Sequence, residues 1–180
     1  LSKKYKKLHS DTYKSYNVDL NNFHTTHSKE NKELTEHFFN SAYEKGDIYT
    51  KEIEQLFDEQ KNIFLSDRFV KGECPSCGAK DQYGDACEVC GKTYDALDLK
   101  NPYSTLSNSE PVIKKSKHYF FKLNNFKEFL NETVSEISNQ DPIKEKLKEW
   151  FDSGLKDWDI SRDEPYFGFK IPNEDSKYLY

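Results

Sequence analysis

The sequence is poor in residues that would mark several common protein classes. It contains no methionine, four cysteines and two tryptophans among 180 residues. No apolar run approaches the roughly 20 residues needed to span a bilayer, and no cationic and apolar leader precedes the chain. We therefore expect a soluble, cytoplasmic protein that does not contact a membrane. Because the chain begins at Leu1 and lacks methionine altogether, we also expect it to be part of a longer protein.

The rest of the composition is polar but compatible with a folded core. Charged residues make up 33% of the chain and aromatic residues 15%, and 13 Phe and 12 Tyr can fill a core that has few small aliphatics. The net charge of -5 argues against a dedicated nucleic-acid-binding protein. Lysine clusters at 3–7 and 114–117 are more typical of solvated faces than of phosphate contacts. We predict no strong nucleic-acid patch.

The cysteines carry the strongest chemical signal. The pattern C-x2-C-x9-C-x2-C is formed by Cys74, Cys77, Cys87 and Cys90. Each C-x2-C pair can direct two thiolates at one ion, and nearby glycines provide the backbone freedom of tight turns, namely Gly78, Gly84 and Gly91. A disulfide framework is the alternative, but it is typical of small secreted domains. We predict one zinc ion per chain. Its role is structural, because four thiolates leave no coordination position open for substrate.

The apolar pattern predicts an α+β fold. Ser28 is placed to cap a helix that runs through Tyr43, with an apolar stripe of Leu34, Phe38 and Ala42. Short apolar stretches between residues 48 and 69, interrupted by the polar residues 58–62, predict strands joined by a turn. Residues 118–123 predict a buried strand.

Two helices and a strand region are predicted after residue 123. The first helix has a stripe of Phe126, Phe129, Leu130, Val134 and Ile137. The second has Asp141 at its N-cap and Pro142 at its first position, and it ends at Gly154. We expect the two to pack as a hairpin. Residues 166–180 predict a strand or a strand pair.

Two further groups of residues have both a functional and a structural interpretation. Trp150, Phe151 and Trp158 can form a surface for stacking bases, but helical spacing with Ile143 and Leu147 favours a core and leaves Trp158 as the exposed candidate. Four acidic residues can be paired for acid and base chemistry, although a solvated face is the favoured interpretation: Glu52, Glu54, Asp58 and Glu59.

Several blocks of the sequence resemble methionyl-tRNA synthetases. Residues 67–72 read Asp-Arg-Phe-Val-Lys-Gly and lead into the first cysteine pair, and residues 81–91 continue the match through the second. Residues 23–28 read Phe-His-Thr-Thr-His-Ser, and residues 158–163 read Trp-Asp-Ile-Ser-Arg-Asp, followed by similar blocks up to residue 172. The match runs in order over nearly the whole chain, whereas single blocks recur in related class I synthetases.

The resemblance implies a zinc-knuckle-bearing insertion, with short strands and a helical hairpin, within a Rossmann-like class I synthetase catalytic domain. Residues 1–28 would end the first half of that domain, 29–160 would form the insertion with the knuckle at about 69–99, and 161–180 would return toward the second half. The insertion would shape the active site and guide the tRNA acceptor end.

The resemblance also implies functional residues. Arg162 matches an arginine that reaches the amino acid and adenylate, and a guanidinium fork suits a carboxylate or phosphate. An ion pair with Asp159 or Asp163 is the alternative role. His24 borders the active site in the family, but for both His24 and His27 a hydrogen-bonded structural role is the favoured interpretation. The chain departs from the family where Asn21 or Asn22 and Phe23 replace the usual aspartate and tyrosine.

Three functions remain open at this point. The first is a segment of an ATP-dependent methionine-tRNA ligase, whose partners are methionine, ATP and methionine tRNA. This chain lacks the family's His-Ile-Gly-His and Lys-Met-Ser-Lys-Ser signatures, so we expect the isolated segment to be inactive. The second is a free-standing zinc module that binds protein or RNA. The third is an editing hydrolase, for which the sequence offers no obvious nucleophile.

Overall fold

The computed structural model describes residues 2–137 and 140–180, which form a mixed helix and sheet structure as predicted. The helices are α1 (Ser2–Ser15), α2 (Lys29–Glu44), α3 (Lys127–Ile137) and α4 (Asp141–Ser153). The strands are β1 (Ile48–Asp58), β2 (Ile63–Phe64), β3 (Val70–Glu73), β4 (Gln82–Tyr83), β5 (Lys100–Ser104), β6 (Val112–Phe121), β7 (Trp158–Asp159), β8 (Ser161–Asp163) and β9 (Lys177–Leu179). Within these residues, no helix combines the length and apolar character needed to cross a membrane.

A long antiparallel strand pair forms the centre of the molecule. β1 and β6 pair continuously from Ile48↔Phe121 to Phe57↔Val112, within a four-stranded sheet of order β2-β1-β6-β7. The turn after Asp58 joins β1 to β2, as predicted. β6 begins before the strand predicted at 118–123, because Lys114, Lys115 and Lys117 interrupt the apolar signal of its first half, and it ends at Phe121.

Two small cores lie toward opposite ends of β1. Phe39, Ile48, Tyr119 and Ile171 form the first, which joins α2, the central sheet and the C-terminal residues. Leu56, Leu65, Val70 and Leu99 form the second, which joins β1 to the cysteine-bearing region. Ile48 and Leu56 are about 26 Å apart along an extended strand. The cysteine unit and the C-terminal segment therefore each have a separate apolar anchor.

Helix α2 begins as predicted but buries a different side chain. Ser28 occupies the N-cap and accepts a hydrogen bond from the Asn31 backbone. The predicted stripe is wrong for Leu34 and Phe38, which are 54% and 66% exposed, whereas Phe39 is 8% exposed. Its third member, Ala42, packs against the first core as predicted. Phe38 and Phe39 are adjacent, so a rotation of the helix by about 100° about its axis would exchange the buried and the exposed side chain. Phe39 is the buried one because it packs against the sheet formed by β1 and β6.

Helices α3 and α4 pack against each other, as predicted. α4 begins at Asp141 itself, so Gln140 occupies the cap position instead, and Gly154 follows the last turn. Phe151 is buried, but Trp150, Ile143 and Phe129 are exposed, so the prediction of a Trp150 core position is wrong. The hairpin buries a narrow face around Leu147 and Phe151. The side chain of Ile137 lies outside the described residues.

The sequence pattern predicts one end of the chain and not the other. The pattern gave no indication of α1, which has no buried residue and is held by local contacts such as Lys7 to Asp11. The predicted C-terminal strand is present as β9, which pairs with β8 rather than within residues 166–180 alone. A single bridge also joins Lys170 to Tyr178. These pairings bring the last residues back onto the segment that carries Arg162.

Candidate metal centre and the surroundings of Arg162

The two cysteine pairs form matching turns. The Cys74 backbone N–H donates to Ala79 O at 2.8 Å, and Gly78 N–H donates to Cys74 O at 3.0 Å. In the second turn the Cys87 and Gly91 backbones repeat the same two bonds, at 2.9 and 2.8 Å. Gly78 and Gly91 have φ of +74° and +71°, a region that side-chain-bearing residues rarely adopt. The predicted role of these two glycines is therefore confirmed.

The four sulfurs form one cluster. They all lie within 4.8 Å of one another, and Cys74 and Cys87 are buried while Cys77 and Cys90 are exposed. Burial opposes ionisation of Cys74, but hydrogen bonds from the Cys77 and Ser76 backbone lower its thiol pKa to about 6. The Ala79 backbone favours the Cys77 thiolate, yet burial and the neighbouring sulfurs raise its pKa to about 12. Full ionisation thus needs a cation between the sulfurs, and the cluster can hold one metal ion.

The cysteine unit is attached to the protein through close packing. Gly84 lacks the predicted turn conformation, because its φ is not positive. It is required for space instead, since an added Cβ would lie 2.8 Å from Val70 Cγ1 and 3.0 Å from Ala96 Cβ. The buried Gln82 side chain links the two turns by donating to Lys80 O and accepting from Glu88 N–H. No pattern in the sequence predicts this role of Gln82.

Arg162 lies in β8 at the edge of a cavity of about 480 Å³. Its guanidinium carbon is 3.7 Å from the centre of the Tyr180 ring, and Nη1 donates to Ser161 O at 2.7 Å. The predicted ion pair with Asp159 is present but long, at 3.9 Å. The guanidinium therefore lies over an aromatic ring at the edge of the cavity. The cavity is also lined by residues of β1, β2 and the segment before the cysteines, including Glu54, Phe64, Asp67 and Arg68.

A buried network of charged side chains surrounds the segment that carries Arg162, and no sequence pattern predicts it. His118 contacts Asp159 and Asp163, and Lys177 binds Asp163 and Ser116. Hydrogen bonds from His118, Lys177, Ser116 and Gln55 hold the pKa of the Asp163 carboxyl well below its usual range, against the effect of burial. The sequence predicted a buried strand at His118 without a role for the ring.

The structure places His24 and His27 in different surroundings. His24 lines a cavity of about 430 Å³ together with Thr25, Thr26 and Leu34. Its Nε2 lies 3.8 Å from Glu30. Arg162 lines the other cavity, so the described residues do not bring His24 and Arg162 to one cavity. The His27 ring packs on the rings of Phe167 and Phe169, with distances of 4.7 and 5.9 Å between ring centres.

The acidic residues of β1 and its turn behave differently from one another. Glu52, Glu54 and Glu59 are exposed, as predicted. Asp58 is fully buried, so its predicted place on a solvated face is wrong. Its carboxylate accepts from Ser107 Oγ at 2.5 Å and from Lys61 N–H at 2.9 Å. It thereby closes the turn and holds the loop after β5.

Comparison with known proteins identifies the family of the chain. The sequence model of the family described as tRNA synthetases class I (M) matches residues 1–180. The chain belongs to this class I (M) synthetase family. Methionine–tRNA ligases of Psychrobacter sp. PRwf-1 and Psychrobacter cryohalolentis are each 54% identical, over 97% and 96% of this chain. The Dichelobacter nodosus ligase is 51% identical over 96%.

The synthetase relatives are much longer than this chain. It covers 26%, 25% and 26% of these three proteins, or about a quarter of their length. A Mycobacterium tuberculosis methionyl-tRNA synthetase in complex with methionyl-adenylate matches with a TM-score of 0.59 and 14% identity, over 97% of this chain and 30% of its own. The apo form matches with a TM-score of 0.58 and 13% identity, over 99% and 32%. These structures show that the synthetase fold is shared, and the predicted resemblance is confirmed.

Proposed function

We propose that this chain is a segment of a methionine–tRNA ligase. The parent enzyme would join methionine to ATP as methionyl-adenylate and transfer the methionyl group to its tRNA. The observation that carries the proposal is the 54% identity to proteins of that name over 97% of the chain. A free-standing zinc module is not favoured, because the match covers the flanking helices and strands as well as the cysteines. Thiolate ligands need a reducing compartment, so we place the enzyme in the cytoplasm.

The segment is proposed to be an insertion in the catalytic domain. Residues 29–160 contain the central sheet, the cysteine unit and the helical hairpin, and residues 161–180 form a return segment that packs on the central sheet through Ile171. The pairing of β8 with β9 supports a separate return segment. In this arrangement the cavity beside Arg162 lies where the insertion meets the return segment, and the insertion shapes the active site and the path of the acceptor end.

The metal is proposed to be one structural zinc ion held by the cysteine cluster. Four sulfurs that lie within 4.8 Å of one another can coordinate one zinc ion tetrahedrally. When bound, zinc supplies no reaction chemistry here and joins the two turns. We expect Cys87→Ala to lower the zinc content of the purified protein well below one per chain. A full equivalent bound with unchanged affinity would contradict the four-thiolate site.

Arg162 is proposed to bind the carboxylate or phosphate of the amino acid or adenylate. Its contact with the Tyr180 ring holds the guanidinium at the cavity, and the cavity gives a ligand access to it. Binding of this kind catalyses by positioning and by stabilising charge. His24 is proposed as a weaker contributor, although it lines a different cavity from Arg162.

The test is methionine-dependent ATP–pyrophosphate exchange by the full-length ligase that carries this chain. We expect Arg162→Ala to lower kcat/KM by at least about tenfold, because a hydrogen bond to a charged group contributes about 1.5 to 3 kcal/mol. Lys170→Ala is the matched control, since Lys170 also lies over a tyrosine of the same strand pair but is exposed. Absence of exchange in the unsubstituted enzyme would refute the ligase proposal, and an unchanged Arg162→Ala would refute the role of Arg162 alone.

A further inference from the structure

One buried histidine holds both ends of the segment that carries Arg162. His118 is 1% exposed. Its Nδ1 lies 2.6 Å from Asp159 Oδ2, and its Nε2 lies 2.8 Å from Asp163 Oδ2. The two aspartates bracket Arg162, one before it and one after it in the chain. The ring therefore ties this segment to β6, the central strand, at two points.

Both contacts require hydrogen-bond donors on the ring. A neutral imidazole has a single N–H, so one of its nitrogens would face a carboxylate oxygen with no proton between them. Burial acts to lower the pKa of His118, but the hydrogen bonds and charges of Asp159 and Asp163 outweigh it and raise the pKa. The pKa of Asp159 is lowered despite burial, chiefly by its bond to His118. The geometry thus favours an imidazolium between two carboxylates.

Other charged groups complete the surroundings of the ring. Lys177 of β9 binds Asp163, and Arg162 lies 3.9 Å from Asp159. Lys51 lies opposite His118 in the β1–β6 register but is exposed. Inside the network, His118 and Lys177 are the buried cations that face the two carboxylates, and loss of the histidine proton removes one of these positive charges.

A neutral ring has an alternative partner. The Gln55 amide nitrogen lies 2.8 Å from His118 Nε2 and also donates to Asp163 at 3.0 Å. Deprotonated Nε2 is an acceptor and can take the Gln55 hydrogen bond. Its contact with Asp163 would then be repulsive. The protonation state of His118 therefore decides whether its Nε2 binds Asp163 or Gln55.

We propose that His118 is a positioning residue for Arg162, bridging Asp159 and Asp163 so that the guanidinium is fixed at the cavity. The link is short: Asp159 Oδ2 contacts both His118 Nδ1 and Arg162 Nη1. Asp159 Oδ1 accepts from Ser161 N–H and Oγ at 3.0 Å each, and Ser161 Oγ accepts from Tyr119 N–H at 2.9 Å. The backbone on the N-terminal side of Arg162 is thereby fixed by the same carboxylate.

The kinetic test rests on the proposed ligase function. In the full-length ligase, kcat/KM for methionine-dependent exchange is compared for unsubstituted enzyme, His118→Gln, Arg162→Ala and the double variant. Displacement of a positioned group costs up to about 100-fold, so we expect a loss of this order in His118→Gln. The double variant should be no worse than about Arg162→Ala alone, because both changes disable the same guanidinium.

Asp58→Asn is the matched control for general destabilisation. Asp58 is as buried as His118 and lies on the same sheet, but its partners are Ser107 and Lys61. We expect kcat/KM near that of the unsubstituted enzyme. The positioning role would be overturned if the double variant lost kcat/KM by the product of the two single losses. It would also be overturned if a folded His118→Gln variant kept an unchanged kcat/KM. Inactive unsubstituted enzyme would instead refute the ligase function and leave the decision to the following measurement.

The second measurement needs neither activity nor a substituted histidine. The 180-residue chain contains the arginines Arg68 and Arg162, so the Arg162 Nε–H resonance is assigned by comparison with Arg162→Ala. We expect the His118 ring to titrate above the ordinary value of about 6.5. We also expect the Arg162 signal to shift with the same midpoint. A His118 pKa below that value would overturn the proposal. An Arg162 resonance that does not shift as His118 titrates would also overturn it.

Discussion

Phe38 and Phe39 offer a sharp test of how α2 packs. The two residues are adjacent, so replacing either by alanine changes the helix propensity equally and removes the same atoms. Phe39 is 8% exposed and Phe38 is 66% exposed. Phe39 also makes an edge-to-face contact with Tyr119, with ring centres 5.8 Å apart. Nearly all of the difference between the two variants should therefore come from burial against the central sheet.

The size of this difference follows from the exposures. Exposures of 66% and 8% differ by 58 percentage points, which for an aromatic residue of roughly 200 Å² is about 115 Å². At about 25 cal/mol per Å², this area corresponds to about 3 kcal/mol. The contact with Tyr119 adds about 0.5 to 1.5 kcal/mol. We expect Phe39→Ala to lower the free energy of unfolding by about 3 to 5 kcal/mol and Phe38→Ala by less than about 1 kcal/mol.

The assay is urea unfolding of the 180-residue chain, followed by far-ultraviolet circular dichroism, with hydrogen exchange at Ile48 and Tyr119 as a local measure. Exchange at these amides reports the first core directly. The loss of about 3 to 5 kcal/mol expected for Phe39→Ala corresponds to a fall of about 6 to 20 °C in Tm. Equal losses in the two variants, or a larger loss for Phe38→Ala, would refute the assignment of the buried face.

Three further outcomes follow from the cysteine region and Asp58. Chelation of the metal should remove order near 70–95 and leave most of the helical circular dichroism, because the first core lies outside this region; a cooperative loss of helix would contradict this. Gly84→Ala should destabilise by about 1 to 3 kcal/mol through the clash with Val70, measured by thermal unfolding, with no change in metal content if the turns are intact. Serine hydrogen bonds and the Lys61 backbone, acting against burial, lower the pKa of Asp58 to about 2. The stability lost in Asp58→Asn should thus be largest above pH 3.8 and shrink as the pH falls toward about 2, whereas a constant loss from pH 7 to 2 would refute this.

The cysteine cluster was predictable because its geometry is local. Each C-x2-C turn needs a glycine with positive φ and a pair of backbone hydrogen bonds within a few residues, and both are present at Gly78 and Gly91. The turn after Asp58 was predictable for the same reason. Gly84 shows the limit, since its small size serves contacts with Val70 and Ala96 that only the packed structure brings together.

The network around His118 was not predictable from pattern alone. Its members come from β1, β6, β7, β8 and β9, and His118 is separated in sequence from Asp159 by 41 residues and from Asp163 by 45. No periodicity connects residues at such distances, and a histidine within an aromatic run gives the signal of a core strand. The resemblance to synthetases drew attention to Arg162, whereas the side chains that hold it became visible only through the strand pairing.

The errors in the helices have a common physical cause. α2 and α4 each contain two adjacent aromatics, and in both helices the second is buried: Phe39 rather than Phe38, and Phe151 rather than Trp150. Neighbouring positions on a helix differ by about 100°, so either residue of the pair is compatible with an amphipathic pattern. The choice depends on where the partner surface lies, and in α2 that surface is made by Ile48, Tyr119 and Ile171, which come from three distant parts of the chain. An apolar stripe thus predicts that a helix packs, while the direction in which it packs is determined by the sheet.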